Sequence, residues 1–458
     1  MLSAMLPSLC SRTRRRVVLG MLFLLALAVP LDSHAQSTGD GSIYSRFGVG
    51  MLNTFTSPQS QAMGGGGYAL RSLNYNAVSN PALWSDQVLT RLHLGAGLRT
   101  IEATDAEGAT STLASGTLEA LQFSFPLYER KIGMAIAFQP YSISNYQAQR
   151  LGQVTAGAFR TDTLNYQVNF EGVGGLQLLR SGLGARINDA LRVGASLDVI
   201  FGIIESQRST RLSRPGFAGT GQGTRDAVLT DGTRLAGVTG TVGGHLALAD
   251  VLTDDDALSV GLSFTFPTRL SGERVRTIDE SLSRDTLETG VKGDVTLPWE
   301  LRLGTAYQPD ERWTIVADGL YAPWSTADSD FAANPGRADP FPVGGNGTFS
   351  DRWRVSAGAE VLPAGNDNFA SYISRMAYRI GAYAEQLNVQ PDASTNISVF
   401  AGTAGLSLPT SLSGTRIDLN LSVGTRGTTD TRLVRDTFYE LSFHVNIGER
   451  WFQERKLR

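Results

Sequence analysis

The sequence predicts an all-β fold: a 14-stranded antiparallel transmembrane β-barrel with an N-terminal plug inside its lumen. Three observations lead there. Apolar and polar residues alternate over runs long enough to cross a bilayer, the connections between runs alternate between short and long, and the chain opens on what reads as an export signal.

The signal comes first. Arg12, Arg14, Arg15 and Arg16 precede the apolar run VVLGMLFLLALAVPL, and Ser33-His34-Ala35 follows with small residues at the cleavage spacing. That run has 15 residues, fewer than the roughly 20 a membrane-spanning helix needs, so residues 1–35 are expected to be a signal peptide removed on export. Cys10 is the only cysteine and leaves with it, so the exported chain has no disulfide to rely on. The formal charge is −3, and the signal carries a surplus of three positive charges, which leaves −6 for the rest. An acidic chain of this kind is a poor partner for nucleic acid. Mean hydropathy is −0.09, too low for a helical membrane bundle but suited to a barrel in which every second residue meets lipid.

The strands follow from period two. In RLHLGAGLR, Leu92, Leu94, Ala96 and Leu98 share one face while Arg91, His93 and Arg99 share the other. RWRVSAGAEV and YELSFHVNI repeat the pattern at 352–361 and 439–447. Fourteen runs are expected, near 90–100, 117–126, 131–141, 172–187, 191–205, 233–248, 257–269, 297–307, 312–322, 352–362, 376–386, 397–408, 415–426 and 436–448. Tight polar turns (YER, NDA, QPDE, PTSLSG) follow the second, fourth, eighth and twelfth runs, and stretches of twenty residues or more follow the third, fifth, seventh and ninth. Brief turns on one side and large loops on the other, with an even strand count, are the pattern of outer-membrane barrels. The connection PAGNDNFASYISR is long for a brief turn and suits a short helix. Aromatic residues gather near strand ends, as at Tyr307, Trp313, Trp324 and Trp353, where rings belong at a membrane interface.

Residues 36–88 lack strand periodicity but carry Tyr44, Phe47, Phe55, Tyr68 and Trp84, too many large apolar groups for a disordered leader. A wall of fourteen strands leaves a lumen too wide for its own side chains, and inward glycines (Gly95, Gly97, Gly194, Gly261, Gly304, Gly358) would let a backbone lie against it. The domain organisation expected is therefore signal 1–35, plug 36–88, barrel 89–449 and a short periplasmic tail 450–458.

The order of export signal, SRFGVG, AMGGGGYALRSLNYNAVSNPALWS and fourteen alternating runs resembles the FadL/TodX outer-membrane transporters of hydrophobic compounds, and also the related PorV-type barrels. In the first of these an N-terminal hatch with an Asn-Pro-Ala step plugs the lumen. Asn80, Pro81 and Ala82 match that step, and Gly64, Gly65, Gly66 and Gly67 resemble the small-residue stretch before it. The resemblance implies an outer-membrane channel for passive uptake of hydrophobic, long-chain fatty acid-like molecules, with hatch-gated or lateral release. Its PorV side implies instead a non-transporting barrel that partners protein secretion or surface assembly. FadL-type barrels bend their third strand inward, and here Pro140 either ends that strand or kinks it beside a lateral opening.

Groups for catalysis are scarce. His93, His245 and His444 lie on separate runs, and no zinc, nucleophile-elbow or phosphate-loop motif is present, so no enzyme and no cofactor is expected. Arg91, Arg99, Arg352, Arg354 and Arg379 fall on the polar phase, as do Asp198, Asp318, Glu360, Asp418 and Glu440. Those arginines either contact a ligand carboxylate in the lumen or form structural ion pairs with the acids. The expected partners are outer-membrane lipid, a hydrophobic ligand and secretion-system proteins. The loop 323–350, rich in Pro, Gly, Asp and aromatic residues, is a candidate capture surface.

Overall fold

The computed structural model describes residues 41–156, 162–213, 225–280, 283–329, 331, 348–365, 367, 369–391, 394–412, 414–430 and 433–450. The signal 1–35, the stretch 332–347 of the candidate capture loop and the tail from 451 lie outside the described residues.

Fourteen strands close into one antiparallel barrel. They are β1 (Thr90–Thr104), β2 (Thr110–Tyr128), β3 in two pieces (Ile132–Pro140 and Tyr146–Ala156), β4 (Asp162–Arg186), β5 (Leu191–Ser213) and β6 (Arg225–Ala249). Next come β7 (Ala257–Thr265 and Thr268–Glu280), β8 (Ser283–Leu297 and Glu300–Gln308) and β9 (Trp313–Ala322). The wall continues through β10 (Arg352–Val361), β11 (Ala377–Gln386), β12 (Ser398–Pro409), β13 (Arg416–Gly427) and β14 (Arg435–Glu449). Closure is made by β1 against β14, from Thr90 opposite Glu449 to Thr104 opposite Arg435.

Which face of the alternation turns outward is settled by burial. Leu98 and Ile380 are 66% and 67% exposed, whereas Asp418 and His444 on the other phase have no exposure at all. A soluble sandwich would have the reverse, so the apolar phase is the lipid-facing wall and the charged phase lines the lumen.

The turns have local causes. The β1–β2 hairpin closes with Asp105 N donating to Ala109 O, while the Asp105 carboxylate accepts from the N–H groups of Glu107 and Ala109. Between β6 and β7, Asp256 accepts from the N–H groups of Val251, Leu252 and Thr253. In the long connection after β10, the one helical turn among the described residues is a 3-10 turn at Ile373–Arg375.

The wall differs from the sequence expectation on one side. The stretches after the third, fifth and seventh runs, expected as long loops, are in large part strand, so that β4, β5 and β6 reach 25, 23 and 25 residues. About ten residues suffice to cross a bilayer. Where a strand rises past the lipid, neither face needs to be apolar, and segments such as Glu205–Ser213 are held in the sheet by their ladders to β4 and β6. Hydrophobic alternation, the signal used to find strands, is absent there.

Away from the short turns, the lumen is closed by two apolar layers. One gathers Leu176, Ile200, Leu235, Leu270, Val295 and Trp324 around Val49. The other gathers Ile101, Ile397, Val399 and Phe438 around Tyr44.

Candidate functional site

Residues 41–88 lie against the inward faces of strands all round the barrel. A short helix, Pro58–Gln61, starts the innermost part, with Ser57 and Ser60 forming a reciprocal capping box and Pro58 at its first turn. Gln61 then spans to Glu119 and Asn420, at 3.0 and 2.9 Å.

The glycine run comes next, and its conformation requires glycine. Gly64, Gly65 and Gly67 have φ of 91°, 88° and 79°. The chain there wraps the carboxylate of Asp318, which accepts from the N–H groups of Gly67 and Tyr68 at 2.8 and 3.0 Å. A Cβ on Gly66 would come to 2.3 Å from that same carboxylate. Arg354, on the neighbouring strand β10, donates to Gly64 O at 2.8 Å.

Asn80, Pro81 and Ala82 form the other anchor. Asn80 caps the 3-10 turn Pro81–Asp86 by accepting from Ala82 N at 3.1 Å, and its amide donates to Tyr68 O and Gly244 O. Proline suits the first position of that turn because its missing donor would be unpaired anyway. The wall meets this step with glycines: a Cβ on Gly194 would lie 2.4 Å from Pro81 C, and one on Gly243 would lie 2.1 Å from the Asn80 side chain. Trp84, fully buried, donates to Ala77 O. Asp86 closes the turn between Arg192 and Arg71, at 2.9 and 2.7 Å. Burial works against its charge, but the Arg192 hydrogen bond and the charge of Arg71 outweigh it and hold the carboxyl below the usual range.

Of the inward glycines that stand out in the sequence, Gly194, Gly261 and Gly358 face the segment, at Pro81, Tyr68 and Met63 respectively, and Gly304 faces the Asp318 carboxylate with Ala69 N behind it. Gly95 and Gly97 face the side chains of His444 and Glu119 instead. A direct check follows. Gly381→Val places a Cβ 2.3 Å from Met63 C, and overpacking of this kind costs about 1–3 kcal/mol. Limited proteolysis of the inserted barrel is expected to cut within 41–88 in this variant, and to leave Gly402→Ala, which has nothing within 4 Å, resistant.

The arginines have protein partners. Arg99 pairs with Glu440 at 2.9 Å, and Arg352 and Arg354 both pair with Glu385, at 2.7 and 2.9 Å. Arg379 bridges Glu360 at 2.5 Å and Asp418 at 2.8 Å, and Tyr75 donates its hydroxyl to Asp418 at 2.6 Å. Arg91 donates to the carbonyls of Leu73 and Gly414. Burial, with the Asp418 charge added, pushes the Tyr75 hydroxyl far above the ordinary tyrosine range, so it stays a donor. In the sequence Asp318 is one of several inward acids and nothing sets it apart, and Glu385 and Tyr75 carry no mark that brings them to these arginines.

The three histidines are all buried and inward. His93 and His444 stack at 5.4 Å between ring centroids, with Phe55 against both.

Pro140 stands where the wall opens. Below it, β3 is paired on both sides, to β2 over Leu121–Tyr128 and to β4 over Gln177–Ala185. Past it the chain leaves the wall: Ser142–Ile143 pair with Met51–Leu52 of the N-terminal segment. On β4, Gly174 and Gly175 take φ of 108° and 134°, and a Cβ on Gly175 would meet Ser142 O at 2.3 Å. Across the gap, β2 bulges at Glu119, between the pairs Gly95–Ala120 and Ala96–Leu118. Among the described residues, the second piece of β3 pairs with β4 alone. Between these edges is a cavity of about 390 Å³, lined by Arg99, Ser115, Thr117, Phe138, Pro140 and Gln177 among others. Arg99, Thr117 and Leu118 also line an inner chamber of about 120 Å³, and a second chamber of about 70 Å³ lies on the other side of Asn53–Thr56.

The family model described as BamG matches residues 16–458. No curated protein matches. Among solved structures, the chain is similar to the CymD monoaromatic hydrocarbon channel, at 16% identity and a TM-score of 0.53 over 87% of this chain and 99% of that one. It is similar to the Ralstonia pickettii toluene transporter TbuX at 17% identity and a TM-score of 0.51, over 87% and 99%. A Pseudomonas aeruginosa FadL homologue aligns at 14% identity and a TM-score of 0.54, over 87% and 98%. These likenesses establish the fold, that of the FadL/TodX outer-membrane barrels named from the sequence.

Proposed function

The chain belongs to the BamG family, and from that premise and the geometry of its wall we propose that it passes hydrophobic small molecules of the fatty acid-like class passively across the outer membrane. The observation that carries this reading is the opening at Pro140, a cavity of about 390 Å³ that shares its lining with an inner chamber. Residues 36–88 act as the hatch. Asn53–Thr56 separate the two inner chambers, so movement of that stretch joins them. An apolar solute then leaves sideways into lipid, where the hydrophobic effect favours it. With the hatch in place, a chamber of about 120 Å³ approaches the size of a cavity that admits benzene, about 150 Å³, and a long acyl chain requires the hatch to shift.

Thr117 lines both the opening and the inner chamber, which makes Thr117→Trp the test. Uptake of labelled toluene and oleate by cells carrying this variant is expected to fall by about tenfold or more, equivalent to about 1.4 kcal/mol or more. Unchanged uptake through a correctly inserted variant would remove the lateral route.

A second reading is favoured by the closed lumen. Two apolar layers close its outer part, and Arg99, Arg352, Arg354 and Arg379 are paired with wall carboxylates. A barrel so filled serves as a partner in protein secretion or surface assembly without a transported solute. Stoichiometric co-purification of other envelope proteins in mild detergent supports that role, and isolation as a lone barrel counts against it.

A further inference from the structure

The wall opening has a second property: it exposes two strand edges. Residues Thr110–Ala120 of β2 pair with β1 on one side, and Tyr146–Ala156 of β3 pair with β4 on one side. Among the described residues, neither edge has a strand on its other side.

The ladder phase shows which backbone groups face the gap. Asp105 N bonds to Ala109 O, and bonded and non-bonded pairs alternate along an antiparallel ladder. The even positions from Thr110 to Leu118 therefore turn their N–H and C=O groups away from β1. On β3, Ser144 N bonds to Gly174 O, so the odd positions from Gln147 to Thr155 turn theirs away from β4. At its lower end the β2 edge reaches membrane depth, since Gly116 pairs with Leu98 of the lipid-facing belt. Leu118 O accepts from the Thr117 hydroxyl at 3.2 Å; lipid tails offer the other groups no hydrogen bond, and each unpaired group there costs several kcal/mol.

Sheet edges are usually guarded by charges, prolines or a covering element. Neither edge carries a proline, and their only charged residues are Glu119, at the bulge, and Arg150. Their direction adds a further constraint. β2 and β3 run antiparallel, so one inserted strand would be parallel to one of its neighbours, whereas a hairpin would be antiparallel to both.

We infer that this seam is an acceptor for a β-hairpin of another polypeptide chain, which pairs with β2 through the even positions from Thr110 and with β3 through the odd positions from Gln147. The hairpin carries apolar side chains on its lipid face and small or polar ones toward Ser115 and Thr117, the residues that line the opening. It fills the lateral opening, so a barrel with its partner in place has a continuous wall. The inference rests on the partner reading above and gives it a surface.

The test is residue-resolved amide hydrogen exchange on the full chain in two settings: its own outer membrane, and vesicles rebuilt from the lipid of that membrane with the purified chain alone. Lipid is the same in both, so only a partner separates them. Thr112, Ala114, Gln149 and Leu151 are expected to exchange about a hundredfold more slowly in the native membrane, the factor given by a partner at a hundred times its Kd. Equal rates in the two settings, fast or slow, overturn the inference. A Thr112→Pro, Gln149→Pro double variant removes two gap-facing donors and no ladder bond, a substitution that edge strands tolerate. It should keep the heat-modifiable migration of a folded barrel and lose the slow exchange at Ala114 and Leu151; slow exchange that persists overturns the inference. Co-purified partners with unchanged seam amides would leave the partner role standing and refute this surface alone.

Discussion

Deletion of residues 44–84 is expected to turn a closed barrel into one that conducts ions. Val49 and Tyr44 belong to the two apolar layers that close the outer lumen, and the helix, glycine run and Asn-Pro-Ala turn occupy the rest. With them gone, the remaining wall is too wide for its side chains to fill, and its inner face is polar. In planar bilayers the full chain should insert without conductance and the deletion variant should give a stable current step at every insertion. A silent deletion variant that shows the heat-modifiable migration of a folded barrel would mean that Leu270, Val295 and Trp324 seal the lumen without the segment.

Arg379→Ala is expected to lower the stability of the barrel substantially. Arg379 joins Glu360 on β10, Asp418 on β13 and Tyr75 of the N-terminal segment, and its side chain is almost fully buried. Removing one partner of a buried ion pair leaves a charge uncompensated, at a cost of about 3–5 kcal/mol. Urea unfolding of the inserted barrel should show an unfolding free energy lower by that amount, with Arg379→Lys between Arg379→Ala and the unaltered chain because a single ammonium cannot reproduce the fork. If stability is unchanged while uptake of a carboxylated probe falls, Arg379 is a ligand contact, the other role its position on the polar phase allows.

The barrel was legible in the sequence because alternation is a local signal. Each run from Leu92 to Ile447 reports its own period, and lipid on one side with charge on the other keeps that period strong. Legibility stops where the strands pass the membrane, as in Glu205–Ser213, where hydrogen bonds to neighbours far along the chain replace apolar patterning. The candidate site shows the same division. Gly64 to Gly67 and Asn80-Pro81-Ala82 stand out by composition, but Asp318, which holds Gly67 and Tyr68, lies 250 residues further on and resembles any other inward acid. Pro140 announced an interruption of β3 without saying whether the strand ended or turned inward; Gly174, Gly175 and Met51–Leu52 determine that it turns inward and then resumes.

The sequence by itself determined the class of the protein, the number of strands, the two faces of each strand and the two short motifs of the N-terminal segment. These depend on residue type and spacing, which a chain carries locally. Only the tertiary structure decided that Arg99, Arg352, Arg354 and Arg379 are paired by wall carboxylates while Arg91 meets backbone carbonyls, that the segment reaches the wall through a belt of glycines, and that the seam between β2 and β3 stays open. Each of these is a distance between residues remote in the chain, set by register and closure of the whole barrel, and no local period encodes it.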